Sequence, residues 1–378
     1  MKELIQKLST IRDTRKKKCV AHKLVEIIVM TMLGIMAGMT DFVAIAYFCK
    51  MRERELRAHL ELPNGVPSDD TFRRIFNVLN PLEIQRVFEE WAVLRVGELN
   101  DQHLAIDGKT SRGSRSVRRG QNALHTVSVW CNKCKISIGE AHATSKGKEI
   151  PLIEELIAKL DIKGTVITAD AIACQTAITE AIVEKGADYV FAVKGNQETA
   201  QDEVVEYMRF AEETQYKDIN HEKKTVLEKA HGQVEKRVYT CIYDVDDLTR
   251  IHDFTAVRSI GRAIRFWTSE QGEEKSETRY FISSLGEGMM GLFIDCVRGH
   301  WSIENNCHRT LDILFKEDDC HVHNENATKN LSLLRKQALH FLANGQKGEK
   351  KIPMSHLSRM VLLDPSKLWD LVFAPLVS

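Results

Sequence analysis

The stretch Val297–Cys320, VRGHWSIENNCHRTLDILFKEDDC, decides how the rest of the chain is read. Taken as one amphipathic helix, it carries His300, Glu304, His308 and Asp312 at intervals of four, so all four side chains rise from a single stripe. A carboxylate in such a stripe can complete a metal site if partners arrive from other elements. Two candidates lie upstream: Asp107 ends the short apolar run HLAID, and Asp170 ends GTVITAD. These positions alone fit a plainer reading better, with a solvated helix face and two aspartates in strand-end turns. The surroundings have to decide between the two.

At 378 residues, 43% of them apolar and 28% charged, the chain has room for a catalytic domain of roughly 200 residues or more plus smaller additions. Its balance is that of a globular protein, without the polar excess of disorder. Lysine plus arginine and aspartate plus glutamate number 53 each, so any nucleic-acid-binding surface must be local. The 9 cysteines, with no signal peptide ahead of them, read as reduced thiols of a cytoplasmic protein. Cys131 and Cys134 form a lone CxxC, read as the flanks of a hairpin tip at Asn132 and Lys133 rather than as half of a zinc site. The most apolar run, Ile27 to Met39, falls short of the about 20 residues that cross a bilayer and is read as a buried helix; no membrane partner is expected.

Residues 11–23 hold 6 lysines and arginines against one acid, a solvated tether or a grip on phosphates. RERELRAHLEL and TFRRIFNVL read as two helices across the turn PNGVPSDD, the second capped by Ser68 or Asp69. A helical hairpin explains the pair; so does a helix-turn-helix-like unit, in which Arg73 and Arg74 stand where a recognition helix meets DNA. PLEIQRVFEEWAVLRV closes this segment near Gly97. From His103 the period shortens: HLAID, ALHTVSVWC and CKISIGEAHA are strands, followed by helix EIPLIEELIAKL, strand GTVITAD, helix QTAITEAIVEKG and strand DYVFAVKG. The order β β β α β α β predicts an α/β fold with a five-stranded sheet that begins as a hairpin and continues in parallel. Residues 197–216 read as helix, and KRVYTCIYDV, FTAVRSIGRAIRFWT and ETRYFISS as strands of an inserted β subdomain. ENATKNLSLLRKQALHFLAN is a final amphipathic helix before a tail ending in LWDLVFAPLV. The expected divisions are an N-terminal helical domain at 1–98, a catalytic domain at 99–345 with the β insertion at about 220–285, and a C-terminal tail at 346–378.

Carboxylates at the carboxyl ends of parallel strands converge on the crevice where α/β folds bind ligands, and oxygen donors suit a hard ion such as Mg²⁺. GKTSRGSRSVRRG follows Asp107 directly and holds Lys109, Arg112, Arg115, Arg118 and Arg119 without an acid. Basic charge beside acidic ligands suits a polyanionic substrate better than a small neutral one.

In IDGKT, TADA, FAVKGNQ, the HG at His231, RYFISS, HWSIEN and LDILFKEDD, together with the N-terminal HKL and PSDDTFRRIF, the chain resembles the DDE-type insertion-sequence transposases of the H-repeat-associated group. The resemblance runs from about residue 8 to about 345 and implies a ribonuclease-H-like core whose first and fourth strands are neighbours. It makes Asp107, Asp170 and Glu304 the catalytic and metal-binding triad, holding two Mg²⁺ ions with Mn²⁺ as a possible substitute. It implies double-stranded DNA as partner, both terminal inverted repeats and target, a homodimer in the active complex, and a cytoplasmic protein that joins the nucleoid when bound. Lys109, Arg112 and Arg115 are expected on phosphates, Arg73 and Arg74 on the element end, and His308 beside Glu304 as its support. Related transposases often carry tyrosine, arginine and lysine around this glutamate; this chain has Val297, His300 and Leu311 at those spacings. The group's leucine and tryptophan appear as Cys307 and Arg309, and its HGR-like motif as HGQ at Gln233. A DNA-binding remnant that cannot cut, or a nuclease that cuts without joining, are the alternatives in function.

Overall fold

Polar caps mark where the helices of the N-terminal segment begin. Asp41, Ser68 and Asn80 each accept a backbone N–H from the first turn of the helix they precede. The computed structural model describes residues 2–16, 20–97, 102–116, 118, 120–143, 146–230, 233–268, 272–346 and 352–373. Arg119, His231, the middle of the basic run at 17–19, the boundary at 98 and 99 and the end of the tail at 374–378 lie outside them.

In chain order the elements are α1 (Lys2–Leu8), α2 (Leu24–Met36), α3 (Phe42–Met51), α4 (Glu53–Leu56), α5 (Asp69–Val78), α6 (Pro81–Val96), β1 (His103–Ser111), β2 (Leu124–Cys131) and β3 (Ile136–Ala143). Next come α7 (Glu149–Lys159), β4 (Val166–Ala169), α8 (Thr176–Glu184), β5 (Asp188–Val193), α9 (Glu198–Glu213), β6 (His221–Ala230), β7 (Gln233–Ile242), β8 (Ser259–Thr268) and β9 (Glu274–Ser283). The chain closes with α10 (Met290–Ser302), α11 (Arg309–Ile313), α12 (Glu325–Asn344), α13 (Met354–Leu363) and α14 (Pro365–Phe373). The fold is mixed α/β, and the order β β β α β α β is present from β1 to β5.

Two compact units share these elements, with a boundary at Gly97/Glu98 where the first division was expected and further boundaries after Asp107, Glu149 and Ile303. Unit 1 comprises Met1–Gly97, Gly108–Glu149 and Glu304–Ser378; unit 2 comprises Glu98–Asp107 and Ile150–Ile303.

In unit 2 the strands run β1-β4-β5-β9-β8-β7-β6. β1 and β4 are parallel neighbours, with Ile106 opposite Ala169, and β5 continues the parallel set. The stretch expected to form a separate inserted subdomain instead prolongs this sheet, because β9 pairs antiparallel with β5 and covers its edge. β6, HEKKTVLEKA, was not expected as a strand: its polar alternation carries almost no hydrophobic signal, and its pairing along β7 fixes it. FTAVR, expected to open a strand, precedes β8 and is irregular. Phe281, Tyr239, Cys241 and Val190 meet Phe293, Met290 and Ile294 of α10 in the core of this unit.

Unit 1 is built around α12, whose residues from Ala327 to Leu342 are nearly all buried, among them Asn330, Arg335, Lys336, Gln337 and His340. It packs against α2, α5, α6, β2, β3, α11, α13 and α14, which is why the N-terminal helices and the C-terminal segment form one body with it. The helix expected to be amphipathic is thus enclosed, and its polar side chains are satisfied one by one. Asn330 donates to the carbonyls of Phe76 and Leu79, and His340 Nδ1 lies 3.1 Å from the Lys135 carbonyl. Lys336 lies 2.8 Å from Glu140 and 2.9 Å from Ser128, both on the hairpin of β2 and β3. That hairpin turns at Asn132 and Lys133 as the sequence predicts. α2 is the expected buried helix, and among the described residues no helix is long and apolar enough to cross a membrane.

RERELRAHLEL is not a full helix. Only Glu53–Leu56 is α-helical: the turn tightens to i→i−3 bonds at Ala58 and His59, and after Leu60 the N–H groups find partners outside a helix. The buried Glu26 of α2 accepts the N–H groups of Glu61 and Leu62, and Arg57 donates to the Leu62 carbonyl. α5 therefore has a single turn before it in place of the first helix of a helix-turn-helix pair, while Ser68 caps it as expected.

The Lys336–Glu140 pair sits where both side chains are at most 5% exposed. Replacing Lys336 with methionine should cost about 3–5 kcal/mol, since it leaves the Glu140 carboxylate buried without its partner. Lys336→Met combined with Glu140→Leu should recover most of that loss. Urea unfolding of the three variants measures both values, and a single variant as stable as wild type would show the pair to be dispensable.

Candidate active site

The parallel register of β1 and β4 brings two of the expected residues together. Ile106 pairs with Ala169, so Asp107 and Asp170 follow paired residues of neighbouring strands of unit 2. Asp170 lies just past the end of β4, whereas Asp107, expected to end its strand, sits inside β1, which runs on to Ser111. Asp170 is 65% exposed, and its Oδ1 lies 3.4 Å from Nε2 of His300 on α10. That hydrogen bond, followed by the charges of Lys194 and Arg279, outweighs burial and holds the Asp170 carboxyl below its ordinary range. It is therefore an ionised oxygen donor at neutral pH.

Behind it runs a chain of side chains that composition did not single out. His300 Nδ1 is 3.1 Å from the Thr168 hydroxyl, which is 2.6 Å from His103 Nε2 on β1. A hydroxyl has one proton, so it can donate to one imidazole while accepting from the other. Burial, followed by repulsion from His300, holds His103 down to about 3, so its ring is neutral. The crevice beside Asp170 is lined by Lys194, Arg279, Phe281, Val297, His300 and Trp301. The Arg279 guanidinium lies over the Trp301 ring, 4.6 Å from its centroid. Lys194 and Arg279 come from the quoted motifs FAVKGNQ and RYFISS, but only β5 and β9 pairing reveals that they converge.

Glu304 opens the last segment of unit 1, exposed, in a π-helical stretch Ile303–His308 between α10 and α11. The single α-helical stripe expected from Val297 onward is accordingly broken. A π turn carries more than four residues, so spacing by four no longer stacks side chains as in an α-helix. Glu304 is exposed, whereas His308 is buried and Asp312 is turned toward Lys109. Lys109, expected on a phosphate, is only 10% exposed and ion-paired within unit 1 to Asp312, Glu317 and Asp318. Arg112 remains 85% exposed, and Arg115 and Arg118 are exposed as well. On α5, Arg73 and Arg74 are exposed and share Asp70 as partner, at 2.7 and 3.0 Å.

For a hard divalent ion the donor chemistry fits: Asp107 and Asp170 offer only oxygens, from neighbouring strands, and Asp170 is ionised. Among the described residues no group of three histidine, cysteine or acidic side chains is gathered tightly enough to hold one by itself.

The family model described as "Transposase DDE domain" matches residues 98–341, and one described as "DDE_Tnp_1-associated" matches residues 5–92. "Putative protein YbfL" of Escherichia coli (strain K12) is 34% identical over 355 residues, covering 91% of each chain. "H repeat-associated putative transposase YhhI" of the same strain is 33% identical over 356 residues, again 91% of each. A piggyBac transposase synaptic complex with hairpin DNA aligns with a TM-score of 0.40 at 12% identity, over 100% of this chain and 80% of that one, too distant to weigh on the fold.

The neutral His103 carries a pH signature. Its unfolded pKa is near 6.5 and its folded one about 3, so the unfolded chain binds the extra proton. This contribution to stability is fully present above pH 6.5 and is lost as pH falls from there toward 3. By pH 5 the loss should reach about 1–2 kcal/mol. His103→Gln should remove that part of the slope. Denaturant unfolding at pH 7 and pH 5 tests it, and equal slopes in the two proteins would rule it out.

Proposed function

The chain belongs to the DDE transposase family, in its H-repeat-associated group. From that premise we propose that it binds the ends of an insertion-sequence element, cuts the DNA there by metal-dependent phosphoryl transfer and joins the freed 3′ ends to target DNA. The observation that carries the reading is the register of β1 and β4, which sets Asp107 and Asp170 directly after the paired residues Ile106 and Ala169 of neighbouring parallel strands, with the family's glutamate at Glu304.

Asp107, Asp170 and Glu304 would hold two Mg²⁺ ions, or Mn²⁺ in their stead. When bound, such ions lower the pKa of a water or 3′-hydroxyl and stabilise the leaving oxygen. The chain's own side chains prepare that site. His300 fixes one oxygen of Asp170 and, through Thr168, leans on a neutral His103 that adds no competing positive charge. Lys194 and Arg279 make the adjoining crevice attractive to a phosphodiester. Arg112 and Arg115, exposed in the turn after β1, suit sequence-independent phosphate contacts, and Arg73 and Arg74 on α5 suit contacts with the element end. His308 is buried, which favours support of the Glu304 segment over contact with DNA. Cutting two element ends calls for two catalytic sites, so the active complex is a homodimer on DNA.

One observation favours a second reading, an end-binding remnant that does not cut. Leu311 is fully buried where related enzymes often present a lysine to the DNA end, so that contact is absent here.

Asp107→Asn, Asp170→Asn and Glu304→Gln should each lower cleavage of a cognate-end duplex in Mg²⁺ by about 10³-fold or more, with folding and DNA affinity nearly unchanged. Two variants cutting at the wild-type rate would remove the assignment. Binding without cutting by the wild type would favour the remnant. Arg112→Ala with Arg115→Ala should weaken binding to all duplexes alike and flatten its salt dependence, whereas Arg73→Ala should act on cognate ends. A filter-binding series over salt, on cognate and random DNA, separates the two, and equal losses for Arg73→Ala would withdraw its reading role.

A further inference from the structure

Lys109 stands two residues after Asp107, in the IDGKT motif, and its ammonium is already fully engaged. Nζ lies 2.7 Å from Asp312, 3.2 Å from Glu317 and 3.3 Å from Asp318. Glu317 is 2% exposed and its other oxygen faces Arg335, itself 4% exposed, at 3.7 Å. Asp318 also accepts the Arg112 backbone N–H at 3.0 Å. Gly113 lets the two turns touch, since a Cβ there would collide with the carbonyl of Asp318. Burial works against the charge on Lys109, and Asp312, Glu317 and Asp318 supply the counter-charge that offsets it. Glu317, also buried, is balanced in turn by Lys109 and Arg335. Each charge in this cage therefore depends on the others.

The residues caged are those that lead out of the presumed catalytic carboxylates. Lys109 continues the strand from Asp107, and Asp312, Glu317 and Asp318 continue the chain from Glu304. Between Glu304 and Asp312 lies the π-helical segment, a marginal geometry that needs an anchor at its downstream end. A phosphate partner for Lys109 is disfavoured, because its three donors already face three carboxylates and its side chain is buried. We infer that Lys109 is a positioning residue: its cage clamps, within unit 1, the stretches continuing from Asp107 and from Glu304, and so sets how those carboxylates are held for the reaction. The inference rests on the reading of Asp107, Asp170 and Glu304 given above. It assigns the lysine of IDGKT and the acids of LDILFKEDD one shared task.

The geometry also says which replacement fails. An ammonium is a compact charge that can face three carboxylates from one buried point, whereas a guanidinium is a larger flat fork, so Lys109→Arg should behave like Lys109→Met. The test uses the full chain and a cognate-end duplex. It measures single-turnover cleavage at saturating DNA, DNA affinity over a salt series, and hydrogen exchange of peptides spanning residues 103–111 and 303–319. For Lys109→Met the cleavage rate should fall about 10- to 100-fold. Affinity and salt slope should stay unchanged, and exchange should rise in both peptides together. Glu317→Gln should give a smaller effect of the same kind, and the double variant should lose no more than Lys109→Met alone.

A uniform loss of affinity, with the salt slope reduced by about one, would instead make Lys109 a phosphate contact and overturn the inference. So would an unchanged rate with only a lower melting temperature. If Lys109→Met does not fold, Asp312→Asn and Glu317→Gln carry the same comparison with isosteric changes, and unchanged rate and exchange in both would overturn it equally. Asp107→Asn and Asp170→Asn run alongside. Wild-type cutting by those two would sink the catalytic reading itself, whereas their loss of cutting beside an unaffected Lys109→Met would sink only the positioning role.

Discussion

A helix buried on nearly all sides cannot carry charge unless its surroundings supply the counter-charge, and α12 carries two adjacent cations into the interior of unit 1. Lys336 meets Glu140 of β3, and Arg335 meets Glu317 in the turn after α11. Burial pushes the Glu140 carboxyl up in spite of Lys336, so that pair is held together against the cost of dehydration. The consequence is specificity of assembly. The hairpin, the acidic turn and the N-terminal helices reach their places only when α12 is in register, since a slip of one residue would strand a cation in an apolar core. The carboxylates that neutralise α12 and the cage around Lys109 share Glu317, which links the packing of unit 1 to the segment that follows Glu304.

Unit 2 obeys a different constraint. A parallel pair of strands in register carries the residues that follow its paired positions side by side, so Asp107 within β1 and Asp170 just past β4 come from neighbouring strands. The rest of the unit refines that placement. β9 adds Arg279 beside β5, and α10 brings His300 to Asp170 while burying Phe293 and Ile294 beneath. The prolonged sheet thus supplies one of the two cations that line the crevice beside Asp170.

Much of this was legible in the sequence because it depends on period and local chemistry. The apolar runs HLAID, GTVITAD and DYVFAVKG, the cap at Ser68 and the turn at Asn132 each declare themselves within a few residues. What stayed hidden depends on distant partners. Lys109 stands in a basic run and reads as a phosphate grip until Asp312, Glu317 and Asp318 are seen around it. Glu26, in an apolar helix, gives no hint that it will take the N–H groups that would have continued α4. The π turn is invisible because the sequence keeps its spacing of four while the backbone inserts a wider turn. β6 is invisible for the opposite reason, since its residues are polar and only β7 gives them a strand.

The balance of charge follows the same logic. With 53 cationic and 53 anionic side chains, the chain has no net field to draw in a polyanion. Every internal ion pair then removes a cation from the surface that nucleic acid can meet. Lys109, Arg335 and Lys336 are spent in this way, and Arg262 is nearly so, at 6% exposure against Glu212. Arg112, at 85% exposure, sits three residues from Lys109 and has the opposite fate. Proximity in sequence to Asp107 therefore does not decide which basic side chain stays open to solvent; burial does. A run of arginines and lysines after a strand is best divided by asking which of them the fold has already neutralised, and what remains is the footprint available to a phosphate backbone.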